Sequence, residues 1–182
     1  MKTKTFLGLN GKERPVARSD IAVLIIDMQR DFVSHLRKGE AERIIPNQLC
    51  ILEQCLRLEI PIIVIECKTY KYGKTVSEIT VTINDAPYVY FIEKRGDDAF
   101  INTQLHKLLQ ELGVKTLVML GINADYCVMD TARSALKLEY KILTSNDVIS
   151  GQSHHSRTNS SHWYQNNGMW VDSTSLLASN LS

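Results

Sequence analysis

A chain of 182 residues with 44% apolar and 23% charged side chains has the composition of a globular protein, not of a disordered or fibrous one. The formal net charge of +1 excludes a general electrostatic attraction for nucleic acid or for an anionic membrane. Met1 to Asn10 contains no apolar run of signal-peptide length, and the longest apolar runs are strand-sized, so a cytoplasmic protein that neither spans nor leaves the membrane is expected.

The length suits a single domain, residues 1–182, with 1–18 as an N-terminal arm. Ile21 to Ile26, IAVLII, is a continuous run of branched apolar residues ending at Asp27, which predicts a strand covered on both faces. Asn47 to Leu58 carries Leu49, Ile51, Leu52, Cys55 and Leu56 at helical spacing, and Pro61 then ends the helix and opens a strand over Ile62 to Ile65. Tyr70 to Pro87 has turn residues and little period, and predicts a long loop of the kind that covers a site. A third strand, Tyr88 to Ile92, runs into Lys94. Thr103 to Leu112 predicts a helix capped by Gly113. Thr116 to Leu120 reads as the fourth strand, Asp125 to Leu138 as a helix, Lys141 to Leu143 as a short fifth strand, and Met169 to Val171 as the last. Ser150 to Gly168 is polar and reads as helix or loop. Strands alternating with helices of this length predict an α/β fold in three layers, an open, mainly parallel six-stranded sheet with helices on both faces.

Ligands of open parallel sheets sit beyond the carboxyl ends of the strands. Three chemically matched groups stand there: Asp27 after the first strand, Lys94 after the third, and Cys127 at the start of the helix after the fourth. A thiol at a helix N-terminus with an ammonium nearby is expected to favour the thiolate. The N–H groups there can hold an oxyanion, and a positioned carboxylate can move the proton. Cys50, Cys55 and Cys67 show no CxxC spacing and read as small buried hydrophobes in a reducing compartment.

AVLIIDMQRDF (Ala22 to Phe32), FIEKRGDDAF (Phe91 to Phe100) and LGINADYCVMDTARSAL (Leu120 to Leu136) resemble, in order, the three signature blocks of the isochorismatase-like cysteine hydrolases. The resemblance extends over Ile21 to Ile149, and Met169 to Leu177 is similar to the family's closing strand and helix. It implies a Rossmann-like six-stranded parallel sheet and a catalytic triad of Asp27, Lys94 and Cys127. It also implies a cis peptide between Ile122 and Asn123, an oxyanion hole of the Asn123 and Cys127 backbone N–H groups, Phe32 in the substrate pocket, and assembly as a dimer or tetramer.

The departures are as informative. Ala124 stands where the family commonly has threonine. Nicotinamidases of this superfamily bind a metal through an Asp-x-His pair and a further histidine, but the matching region reads IECKTYKYGKT (Ile65 to Thr75), without histidine. No catalytic metal and no cofactor is therefore expected, and nicotinamide is disfavoured as substrate. Isochorismatase proper lacks the cysteine, so retention of Cys127 implies acyl transfer to water, as in an amidase or ureidohydrolase. Asp27 would deprotonate Cys127, protonate the departing amine and activate the water that frees the acid.

Tyr70 and Tyr72, in the long loop, are expected to line the pocket, whereas Tyr88 and Tyr90 read as alternate positions of a strand. His154, His155 and His162 read as a solvated surface. Trp163, Tyr164 and Trp170 read as core or subunit interface. Two alternatives to the hydrolase stand beside it: a binding protein on the same scaffold, and a thiol redox sensor, which no partner cysteine close to Cys127 in sequence supports.

Overall fold

A computed structural model of the protein describes residues 5–7, 13–15, 20–68, 72–84, 86–152, 154–167 and 170–181. Two short strands, β1 (Thr5–Leu7) and β2 (Glu13–Pro15), pair antiparallel within the N-terminal arm. The remaining strands are β3 (Ile21–Ile26), β4 (Ile62–Cys67), β5 (Val89–Lys94), β6 (Thr116–Ile122), β7 (Lys141–Leu143) and β8 (Ile149–Ser150). They form a six-stranded parallel sheet in the order β5-β4-β3-β6-β7, with β8 also paired to β6. The helices are α1 (Arg30–Ser34), α2 (Glu40–Leu58), α3 (Ser77–Thr82), α4 (Leu105–Glu111), α5 (Cys127–Lys137), α6 (His154–Asn166) and α7 (Thr174–Ser179).

The central strands are apolar along their whole length because both faces are covered: Ala22 to Ile26, Ile62 to Ile65 and Leu117 to Ile122 are all buried. At the edge, β5 alternates instead. Tyr90, Ile92 and Lys94 point inward, while Phe91 and Glu93 are exposed. β3 sits in the middle, and the chain first builds outward through β4 to β5, then returns to the other side of β3 with β6. That reversal is the topological switch point, and Asp27 follows β3 there while Asn123 follows β6.

Close approach at this point demands glycine. Gly121 has φ 133°, pairs in register with Ile26, and a Cβ on it would lie 2.1 Å from the Ile26 carbonyl oxygen. Any side chain would push apart the two strands whose next residues build the site.

Several elements depart from the sequence reading. α2 begins at Glu40, not at Asn47, and runs through Pro46, which cannot donate to the Glu42 carbonyl. Tertiary contacts hold the added turns: Ile44 is buried, and the Arg43 guanidinium donates to the carbonyls of Asn146 and Ile149. The expected loop over Tyr70 to Pro87 contains α3, formed on β-branched residues because Ile79 is buried. The sixth strand of the sheet is β8, not Met169 to Val171. Trp170 contributes only an isolated parallel bridge to Thr144, and Met169 lies outside the described residues. α6 resolves the polar segment as helix, in which His162 is exposed and Tyr164 is fully buried between Trp163 and Trp170. The side chains of His154 and His155 lie outside those described. Among the described residues no helix is long and apolar enough to cross a membrane.

Candidate active site

Asp27 leaves β3 with φ 52°, in the left-handed region that aspartate tolerates better than most residues. Its N–H donates to the Ile65 carbonyl at 3.0 Å, which ties the turn to the neighbouring strand end. The side chain is 1% exposed and meets the Lys94 ammonium, itself 2% exposed, at 2.7 Å between Oδ2 and Nζ. Lys94 ends β5, two strands away from β3, so its side chain must cross the end of β4, a span of about 9.5 Å. Cys67 is the register partner of Lys94 on β4, and a small side chain there leaves the ammonium room to pass. Nζ also donates to the Gly96 carbonyl at 2.9 Å.

Cys127 is the first residue of α5 and is 7% exposed. The peptide between Ile122 and Asn123 is cis, and the loop that follows is bonded back on itself. Tyr126 and Val128 N–H both donate to the Asn123 carbonyl, and Ala124 N–H donates to Ser150. Among the described residues the N–H groups of Asn123 and Cys127 bond to no backbone carbonyl.

Electrostatics at the three groups are coupled. Burial lifts the Asp27 carboxyl above its usual range, with Lys94 and Cys127 pulling the other way. Burial works against the Lys94 ammonium, but the Asp27 carboxylate outweighs it and holds the amine above its ordinary value. Cys127 is pushed well up, first by burial and then by the Asp27 charge, against the pull of Lys94. This corrects the expectation of a stabilised thiolate. Desolvation beside a carboxylate works against the thiolate more than a helix N-terminus and one ammonium favour it.

Residues 28–31 and 72–76 run antiparallel beside the site, through Val76 N–H to Met28, Arg30 N–H to Lys74 and Asp31 N–H to Tyr72. Gln29, buried, clamps this strap: Nε2 donates to the Gly73 carbonyl at 2.7 Å, and Oε1 accepts from Cys67 N–H at 2.7 Å. The strap brings Tyr72 onto Phe32, ring centroids 4.1 Å apart. Tyr70 lies outside the described residues. An open groove of about 720 Å³, walled by Gln29, Arg30, Cys67 and Gly73 among others, lies beside the strap; Asp27, Lys94 and Cys127 are not among its walls.

Glu66 anchors the far end of the strap. Its Oε1 accepts from Thr75 N–H at 2.8 Å and Thr75 Oγ1 at 2.9 Å, and Oε2 from Lys74 at 2.9 Å. Burial alone would lift this carboxyl, but the Thr75 N–H and then Lys74 outweigh it and hold it below its usual range. A carboxyl depressed on folding contributes stability that is complete above the ordinary value of 4.5 and is lost as pH falls through the folded value. Glu66→Gln is therefore expected to cost about 1–3 kcal/mol near neutrality. In urea unfolding the gap to the parent should shrink steadily in acid, and an unchanged gap would contradict the assignment.

One group at the sulfur was not singled out by sequence. Asp97 Oδ1 accepts from the Cys127 thiol at 3.4 Å. Of the three cysteines read from the sequence as buried, only Cys55 is, with its thiol pushed up to about 12 by desolvation; Cys67 is half-buried and Cys50 is exposed. Among the described residues, no group of three or more His, Cys, Asp or Glu is arranged to hold a metal ion.

The model of the Isochorismatase domain matches residues 21–175. YaaI of Bacillus subtilis, an uncharacterized isochorismatase family protein, is 30% identical over 157 residues, which span 76% of this chain and 84% of YaaI. The nicotinamidase SaPncA of Staphylococcus aureus superposes with a TM-score of 0.76 at 22% identity, over 85% of this chain and 98% of SaPncA. YcaC of Escherichia coli, an octameric hydrolase of unknown specificity, superposes with a TM-score of 0.77 at 22% identity, over 93% of this chain and 84% of YcaC. At such identities the structural likeness concerns the fold, whereas the domain match and the similarity to YaaI concern descent. From Ile21 to Ser175 the sequence and the sheet follow one family pattern: this chain belongs to the isochorismatase family.

Proposed function

We propose that this chain hydrolyses a non-peptide C–N bond, in an amide or ureide of a small molecule, through a thioester on Cys127 assisted by Asp27 and Lys94. The observation that carries the reading is the sealed Asp27–Lys94 pair coupled to the sulfur at the switch point of the sheet. A buried ion pair gives little net stability for its desolvation cost, so its location beside a nucleophile supports a chemical role.

The substrate carbonyl oxygen lies against the Asn123 and Cys127 N–H groups, which stabilise the charge that develops on it. As sulfur attacks the carbonyl carbon, the thiol proton passes to Asp27, whose raised affinity suits it to hold one. Lys94 keeps the buried site electrically balanced while that proton is in transit. Asp27 then gives the proton to the departing amine as the C–N bond breaks, leaving the thioester, which water cleaves to the acid. Phe32 and Tyr72 supply an aromatic wall for the substrate, and the side chains named serve each step without a metal or cofactor.

The test is a panel of small amides and ureides, scored by release of ammonia or amine. Turnover of at least one class by the parent protein is expected; silence across the panel, with Cys127 still open to acylating reagents, would favour a binding role on the same scaffold. YcaC is octameric; this chain too is proposed to assemble with itself, as a dimer or tetramer, which sedimentation velocity reads directly.

A further inference from the structure

Asp27 is well placed to receive the thiol proton but poorly placed to meet the second reactant. Its carboxylate is 1% exposed and faces an ammonium at 2.7 Å, so a hydrolytic water would have to enter a sealed, already paired corner. The sulfur touches a second carboxylate that differs in this respect. Asp97 Oδ1 lies 3.4 Å from Cys127 Sγ, and Asp97 is exposed.

The position of Asp97 is secured on both sides. One residue before it, the Gly96 carbonyl accepts from Lys94 Nζ at 2.9 Å. One residue after it, Asp98 caps Phe100 N–H at 2.8 Å and accepts from the Ser134 hydroxyl of α5. Ala99 N–H then donates to Thr131 Oγ1 of the same helix at 3.0 Å. The segment is thus pinned to the ammonium and to the helix that begins with the nucleophile, which holds a water-facing carboxylate against the sulfur. Nothing in its own hydrogen bonding explains that placement, since Asp98 alone supplies the cap.

We infer that Asp97 is a further catalytic residue, the general base that activates the water in thioester hydrolysis. The inference rests on the proposed cysteine-hydrolase reading and moves the water step from Asp27 to Asp97. Asp97 takes one proton from water as the water oxygen bonds to the thioester carbon. The C–S bond then breaks, the carboxylic acid leaves, and the sulfur recovers its proton from Asp97. The two carboxylates divide the cycle: the sealed one moves the proton between sulfur and amine, and the wetted one serves the step that consumes water.

The test is p-nitrophenyl acetate turnover by the full chain, its Asp97→Asn and Asp97→Glu variants, and Cys127→Ala. Positioned general bases contribute about 10²–10⁴-fold. Asp97→Asn is expected to release a burst of one p-nitrophenolate per protein, then turn over at least about 100-fold more slowly than the parent. Acetyl-Cys127 should accumulate in the mass spectrum. Hydroxylamine, a nucleophile that needs no base, should restore turnover of Asp97→Asn, and Asp97→Glu should retain part of the rate; neither rescue follows from a structural role. An unchanged steady rate in Asp97→Asn, or loss of the burst together with the steady rate, overturns the inference while leaving the nucleophile in place. Parental turnover by Cys127→Ala overturns the cysteine-hydrolase reading, and this inference with it.

Discussion

Replacing Cys127 by alanine is expected to lower turnover of an amide or ureide substrate by roughly 10⁴-fold or more, because removal of a nucleophile leaves only binding and the oxyanion donors. Stability should change by no more than about 1 kcal/mol, since the substitution removes one sulfur at the site's edge and no ion-pair partner. The two measurements together separate chemistry from folding. Comparable turnover by the variant would dismiss Cys127 as nucleophile. General thiol reagents are a poorer probe here, because Cys127 is 7% exposed whereas Cys50 lies open to them.

The second large effect concerns Lys94. Lys94→Met leaves the Asp27 carboxylate buried without its partner, and breaking such a pair by removing one member costs about 3–5 kcal/mol. Adding Asp27→Asn removes the orphaned charge, so the double variant should regain most of the stability lost in Lys94→Met. It should regain little of the activity, because the group assigned to carry the proton from sulfur to the departing amine is gone. Guanidinium unfolding and the amide assay read the two outcomes. The pH dependence follows from the same pair. Asp27 must be ionised to act as base, and burial raises its carboxyl, so activity should rise with pH through a value above the ordinary 3.8. Lys94, held above its own ordinary value, stays cationic across that range. A double variant that stays as unstable as Lys94→Met alone would contradict the ion-pair account.

What the sequence revealed, and what it concealed, follows from where each signal lies. IAVLII and TLVMLGI are legible as central strands because cover on both faces makes every residue apolar, and the carboxyl ends of such strands are where Asp27 and the Cys127 turn were sought. The first turns of α2 were hidden by Pro46 and by polar residues whose helical state depends on Arg43 reaching Asn146 and Ile149, contacts over a hundred residues away in the chain. α3 was hidden because its β-branched residues favour strands, and burial of Ile79 overrides that preference. The upward push on the Cys127 thiol was not legible because desolvation and the Asp27 charge are properties of the folded site, not of the helix start. Asp97 and Asp98 are chemically identical neighbours. Only the folded segment, with Asp98 turned to Phe100 and Ser134, leaves Asp97 on the sulfur.

The most direct measurement is an acid quench in mid-turnover, with an amide or activated acyl donor, followed by peptide mass mapping of the cysteines. A single acyl group on Cys127, absent from Asp27→Asn handled identically, is the predicted result. Acyl groups spread over Cys50 and Cys67, with Cys127 unmodified while product forms, would contradict the covalent role given to that sulfur.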